Sequence, residues 1–190
     1  MSVRLVAVTC AADFQKVKAL YREAIPAHER LPAGFLYKKR LKEGVGFYSI
    51  YDGEEWVGFV YMLSGEDLAY IYYFAIDETF RSKGYGSAAL ASVKALYAGK
   101  RIILAIDAVK ESTPDFEKRQ KRKAFYDRNG FVASGYISGK KTAPLMELLV
   151  HGGPINMEDM KRLNRLIGKY IGGLLGPVVT WLQNRVIKEV

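Results

Sequence analysis

Between Gly46 and Asp77 three strand-length apolar runs follow one another with no helical pattern between them: "GFYSIYD", "EWVGFVYML" and "LAYIYYFAID". Strands that are neighbours in sequence and joined by short turns pair antiparallel. Asp52-Gly53 is the kind of dipeptide that closes a tight hairpin between the first two. After Asp77 the pattern changes. A polar link leads through "RSKGYG" into "SAALASVKALYA", rich in good helix formers, and then into "KRIILAIDAV". The last run is apolar on both faces, as an interior strand requires. A strand-helix-strand step permits a parallel pair. The expectation is an α/β (α+β) fold built on a mixed, mostly antiparallel sheet.

The remaining segments supply its flanks. "VRLVAVT" predicts a first strand, and "ADFQKVKALYREAI" a helix with Phe14, Val17, Leu20, Tyr21 and Ala24 at helical spacing. "PAHERLPAG" is a loop by its prolines and glycine, and "FLYKKRLKE" predicts a second, basic helix. "TPDFEKRQKRKAFYDRNG" predicts a helix stopped by Asn129-Gly130, and "FVASGYIS" and "APLMELLV" a final antiparallel pair. The order is β-α-α-β-β-β-α-β-α-β-β over residues 1–150, read as one domain. Residues 151–190 differ in character. "NMEDMKRLNRLIGKYIGGLLG" predicts a helix running into glycines, and "PVVTWLQNRVIKEV" a second helix opened by Pro177. This extension is expected to pack on the domain or to form a homodimer contact.

Composition narrows the chemistry. The single cysteine, Cys10, excludes an internal disulfide and a cysteine-cluster metal site, and no metal is expected. A net charge of +9 favours anionic partners without choosing among them. Neither a recognition-helix pattern nor an aromatic-basic RNA signature is visible, so nucleic acid is not an expected partner. "MSVRLVAVTC" is too quickly polar for a secretory signal, and no apolar run reaches the roughly 18 residues of a membrane span. A cytoplasmic location is expected.

The junction "RSKGYG" raises the functional question. A strand that feeds a helix through glycines presents free N–H groups at a helix start, where the dipole also favours negative charge. Gly84 and Gly86 allow close main-chain approach to a phosphate, and Arg81 and Lys83 add cationic donors. A tight turn with no ligand is the simpler reading of such glycines. The spacing fits neither GxxxxGK[ST] nor G-x-G-x-x-G, since Ala89 stands where a third glycine would.

An apolar strand followed by "RSKGYGSAAL" resembles the Arg/Gln-x-x-Gly-x-Gly/Ala signature of the GCN5-related N-acetyltransferases (GNAT). "AFYDRNGF", ending at Phe131, resembles that family's second motif, an aromatic-Tyr-x-x-x-Gly-Phe helix end. The resemblance covers about residues 3–150. It implies that acetyl-CoA, as acyl donor, lies where the strands "YIYYFAI" and "RIILAID" splay apart. The main chain of Phe74, Ala75 and Ile76 would bind the pantetheine arm. Arg81, Ser82, Lys83, Gly84, Tyr85, Gly86 and Ser87 would bind the pyrophosphate. Tyr126 matches the family tyrosine that protonates the departing thiolate after an amine attacks the thioester through a tetrahedral intermediate. The acceptor would be a small-molecule or peptide amine, shaped by "IPAHERLPAGF" and "SGYISGKKTAPL".

The base is less determined. Tyr70 and Ala105 occupy the two positions at which family members carry a glutamate. Asp107 lies two residues beyond Ala105, on the same side of its strand, and Glu29 lies in "HERLP"; both are candidates, with a water relay as the third route. Freeing a lysine-like amine of its proton at pH 7 costs about 4.6 kcal/mol, and an α-amine only about 1.4 kcal/mol. A site without a strong base therefore suits the less basic amine. Tyr70 and Tyr72 are expected on one face with Phe74, opposite Tyr73. The rival to an enzyme is a noncatalytic acyl-CoA-binding module of the same fold.

Overall fold

In the computed structural model, which describes residues 3–138, 145–172 and 186–188, the three consecutive strands form as their patterns require. β2 (Val45–Asp52) and β3 (Glu55–Ser64) make the hairpin, pairing Asp52 with Glu55 across Gly53 and Glu54. β1 (Val3–Ala7) joins the open edge of β2, Val3 opposite Asp52. β4 (Leu68–Ile76) follows β3. The fold is a mixed, mostly antiparallel sheet flanked by helices.

The chain divides into two compact units. Met1–Gly65 and Ile71–Ala98 form the first, with Glu66–Tyr70 and Gly99–Val190 forming the second. In the first unit, α1 (Ala11–Ala24) buries Val17, Leu20 and Tyr21 and ends at Ile25, ahead of Pro26. α2 is Ala33–Lys39, starting two residues earlier than its apolar spacing suggests because Pro32 opens it. It also stops earlier: the Arg40 guanidinium folds back 3.6 Å from the centroid of the Tyr37 ring and donates to the Tyr37 carbonyl, leaving Leu41 exposed.

β3 carries one extra residue. Ile50 pairs with Gly58 and Tyr51 with Trp56, so Val57 is a bulge whose carbonyl accepts the Asp77 N–H at 2.9 Å. The bulge brings Gly58 hard against β4. A Cβ there would land on the Ala75 carbonyl oxygen and 3.1 Å from the Ile76 Cα. Both obstacles are main chain, so they yield only by moving β4. Gly58→Ala is expected to destabilise the protein by about 1–3 kcal/mol, read as a lowered midpoint in urea. A variant as stable as wild type would show that β4 is not held this closely.

In the second unit, β5 (Arg101–Asp107) pairs antiparallel with β7 (Met146–His151), which pairs with β6 (Val132–Ser138). The final hairpin thus enters with its second strand innermost. Its α4 (Phe116–Arg128) and α5 (Met157–Ile171) cover part of the apolar surface. α5 opens on a capping box, Asn156 accepting from the N–H of Glu158 and Asp159 while Asp159 accepts from the N–H of Asn156. Its Met160, Leu163, Ile167, Tyr170 and Ile171 are buried.

The second tail helix expected from Pro177 is corrected where the chain is described. Val186–Lys188 is a strand, β8, antiparallel to β6 with Tyr136 opposite Lys188. Val and Ile suit an extended chain, and the open edge of β6 offers main-chain partners that a short helix would lack. Residues 177–185, and the 139–144 part of the link thought to shape the acceptor side, lie outside the described residues. Among the described residues, no helix is long and apolar enough to cross a membrane, and no group of three or more His, Cys, Asp or Glu is placed to hold a metal ion.

Candidate active site

The link after β4 is a built turn. Asp77 Oδ1 accepts from the Thr79 N–H at 3.0 Å and the Thr79 hydroxyl at 2.7 Å, starting a single 3-10 turn over Glu78–Phe80. Arg81 closes it, its Nε donating to the Ile76 carbonyl at 3.0 Å. Ser82 sits at φ +62 and Gly84 at +87, so the chain is coiled left-handed twice within three residues. Gly84 is the N-cap of α3 (Tyr85–Leu96) and carries no side chain to cap it. The first bond of α3 runs from the Ala88 N–H to the Gly84 carbonyl at 3.0 Å. The N–H groups of Tyr85, Gly86 and Ser87 therefore stand ahead of the helical ladder, pointing out of its N-terminus.

The neighbours of that terminus hold it in place and add charge. Tyr85 stacks edge-on against Phe80 at 5.5 Å and donates its hydroxyl to Asp52 at 3.2 Å. Lys83 lies 5.8 Å from the Phe80 ring centroid. Arg81, about half exposed, has Glu23 at 3.6 Å. Three orphan N–H donors, the positive helix end and two cations make a cradle that fits a diphosphate.

The three β4 residues expected to bind a ligand through their main chain are not equivalent. Asp77 spends its N–H on Val57, and the Ala75 carbonyl abuts Gly58. Main-chain direction alternates along a strand, so Phe74 and Ile76 turn their polar groups away from β3. The Ile76 carbonyl is occupied by Arg81.

Tyr126 lies in the second unit, on the last turn of α4. There the sequence pattern has a geometric cause. The Phe131 N–H donates to the Tyr126 carbonyl at 3.1 Å and the Gly130 N–H to Asp127 at 2.9 Å, with Gly130 at φ +77. This is a Schellman closure, and its apolar contact is the edge-on pair Tyr126–Phe131 at 5.8 Å. The aromatic-Tyr-x-x-x-Gly-Phe spacing is thus what fixes the tyrosine ring. Burial pushes the Tyr126 hydroxyl up to about 12, Arg122 pulling slightly the other way, so it holds its proton at neutral pH.

Of the two candidate bases, Asp107 accepts from Arg122 of α4 at 3.1 Å and is mostly buried. Together with Arg119–Asp115 and Lys123–Glu147, this pair neutralises three of the five cations between Lys118 and Lys123. Glu29, in the first unit, ends a 3-10 turn over Ala27–Glu29, and its carboxylate is about a third exposed beside His28 at 3.5 Å.

The expected alternation of the β4 tyrosines is overturned at one step. Sequence neighbours on a regular strand point to opposite faces, yet the Tyr72 and Tyr73 rings meet at 4.7 Å and 85°. The pleat is broken there. Tyr72 consequently reaches Tyr61 of β3 at 6.4 Å, and Tyr73 reaches Tyr21 of α1 at 5.0 Å. Tyr70 is core. Nothing in the spacing of "YIYYF" signals the break, because it depends on the strand beside it.

Comparison with known proteins agrees with this geometry. Residues 43–133 match the family model described as an acetyltransferase (GNAT) domain. No curated protein matches the chain in sequence. A protein from Bacteroides thetaiotaomicron described as a GNAT-family acetyltransferase superposes with TM-score 0.73 at 20% identity, over 91% of this chain and 99% of its own. An aminoglycoside 6'-N-acetyltransferase complexed with coenzyme A gives 0.66 at 13% identity, over 82% and 100%. The ribosomal-protein-S18-alanine N-acetyltransferase of Escherichia coli gives 0.60 at 12% identity, over 83% and 97%. At such identities the structural likeness is one of fold. Residues 43–133 are thus similar to a GNAT acetyltransferase domain, and the solved structures of like fold include a GNAT-family acetyltransferase.

Proposed function

We propose that the protein is an N-acetyltransferase that moves an acetyl group from acetyl-CoA to a primary amine by direct attack. The observation that carries this reading is the left-handed Gly84 opening α3, with three main-chain donors free of the helical ladder. That cradle suits the diphosphate of coenzyme A, and the solved aminoglycoside acetyltransferase of like fold is a coenzyme A complex. Arg81, Lys83 and the N–H groups of residues 85–87 would hold the diphosphate, and the outward main chain at Phe74 and Ile76 the pantetheine arm.

Bound acetyl-CoA supplies a thioester carbonyl open to an amine nitrogen. Tyr126 keeps its proton across the neutral range and is suited to deliver it to a departing sulfur, recovering it from water. Asp107 is engaged by Arg122, and Glu29, beside His28, would be the proton acceptor for the incoming ammonium. Tyr126→Phe is expected to lower kcat about 10- to 100-fold while the acetyl-CoA Kd stays within twofold. The Schellman closure uses the main chain and ring, both of which phenylalanine keeps.

The test is calorimetric titration with acetyl-CoA, followed by thiol release on a panel of α-amino peptides, lysine peptides, polyamines and aminoglycosides. Binding and turnover on one class support the assignment. Binding with no turnover on any amine moves it to a noncatalytic acyl-CoA-binding module. No binding removes it.

A further inference from the structure

The first unit contains a latch that the transferase motifs do not account for. Tyr73, buried on β4, donates its hydroxyl to the Glu29 carbonyl at 2.7 Å and accepts from the Leu31 N–H at 3.3 Å. Tyr21 of α1 donates to the Leu31 carbonyl at 3.0 Å. Leu31 itself is buried, and Pro26 and Pro32 bound the turn on either side. Two phenols thus grip three main-chain groups of one short loop, one on Glu29 and two on Leu31, and the Glu29 side chain leaves that loop part-exposed. Such a grip exceeds what ordinary loop closure needs, since loops normally satisfy their polar groups with water.

We propose that Tyr73 is a positioning residue for the amine acceptor, tying residues 29–31 to β4 so that the Glu29 carboxylate is held ready for a cationic amine. This rests on the transferase reading above. The break in the β4 pleat is part of the device, because it sets half-buried Tyr72 beside Tyr73 and lets an aromatic face accompany the carboxylate. A carboxylate with tyrosine rings is a recognition set for ammonium groups. The electrostatics agree: burial holds Tyr72 and Tyr73 above the ordinary phenol range, and the Glu29 charge adds to the rise at Tyr72 and Tyr21. All three remain protonated donors at neutral pH, as the latch requires.

Two variants separate the latch from the charge. Tyr73→Phe removes the hydroxyl and keeps the ring, and Glu29→Gln keeps the gripped carbonyl and removes the charge. Tyr73→Phe is expected to speed amide hydrogen exchange at residues 27–33 about tenfold and to raise the KM of the best amine about tenfold. The KM of acetyl-CoA should stay within twofold. Glu29→Gln should raise the amine KM similarly with exchange unchanged. Exchange in Tyr73→Phe equal to wild type overturns the latch. An amine KM that does not move in Tyr73→Phe, or that moves together with the acetyl-CoA KM, overturns the positioning role. A wild type that binds acetyl-CoA but acetylates no amine overturns the acceptor role, and one that binds no acetyl-CoA overturns the transferase reading itself.

Discussion

Gly84→Val is expected to weaken acetyl-CoA binding about a hundredfold while leaving the protein folded. At φ +87 a side chain with a Cβ costs about 1–2 kcal/mol, and valine, branched at that carbon, lies at or above the top of the range. The chain relieves this by leaving the left-handed conformation. That turns the N–H groups of Tyr85, Gly86 and Ser87 away from a common point, and each charge-assisted bond misaligned removes about another 1 kcal/mol of affinity. Gly84→Ala should fall between valine and wild type, since it strains the turn without branching. Titration calorimetry reads the affinity, and circular dichroism the fold. An unchanged Kd in a folded Gly84→Val protein would mean that the diphosphate is held elsewhere.

Asp159→Ala is expected to be the most destabilising single substitution of a charged residue, costing about 3 kcal/mol. Asp159 is nearly inaccessible and is gripped by Arg101, at 2.6 and 2.8 Å, and by Arg162. Asp67 completes a ring, accepting from Arg101 at 2.6 Å and from Arg162 at 2.8 and 3.0 Å. Removing Asp159 leaves Arg101, which is mostly buried, with the more exposed Asp67 as its remaining carboxylate, and it removes half of the α5 capping box. The link between α5 and β5 is then left to Asp67, which bridges Arg101 and Arg162.

The same network sets a pH dependence. Bonds from Arg101, then from Arg162 and the Asn156 N–H, hold the Asp159 carboxyl far below the usual carboxylate range, and Asp67 is lowered by the same two arginines. A folded-state pKa below the unfolded value of about 3.9 gives stability that is full above that value and fades as pH falls through it toward the lowered one. The unfolding midpoint of wild type should therefore drop between about pH 5 and pH 2 more steeply than that of Asp159→Asn. Parallel curves for the two proteins would mean that the carboxylate contributes nothing. Asp159→Asn also guards the main prediction, being less disruptive than alanine to the cap.

Much of this was legible in the residues themselves. Three strand runs in a row forced antiparallel neighbours, and Asn129-Gly130 announced the stop that fixes Tyr126. Gly84 and Gly86 announced a helix start with its donors exposed. Each is a local signal, since alternation, helical spacing and positive φ are properties of a few consecutive residues. Pro32 and the Arg40 fold-back show how far local reading errs, by two to four residues at helix ends.

Other features belong to the tertiary structure. That Gly58 is held against Ala75 follows from a bulge in β3 meeting β4, two segments whose contact no spacing reveals. That Tyr72 lies with Tyr73 follows from a break in the pleat. The engagement of Asp107 by Arg122, the four-membered ring through Asp67 and Asp159, and the grip of Tyr73 on the Glu29 turn join residues 15 to 95 positions apart. The local pattern determined most of the elements and where the glycine-opened helix α3 begins. Only packing decided which side chains those elements bring together, because a contact across strands and helices costs its ordering entropy over the whole chain and leaves no periodicity in it.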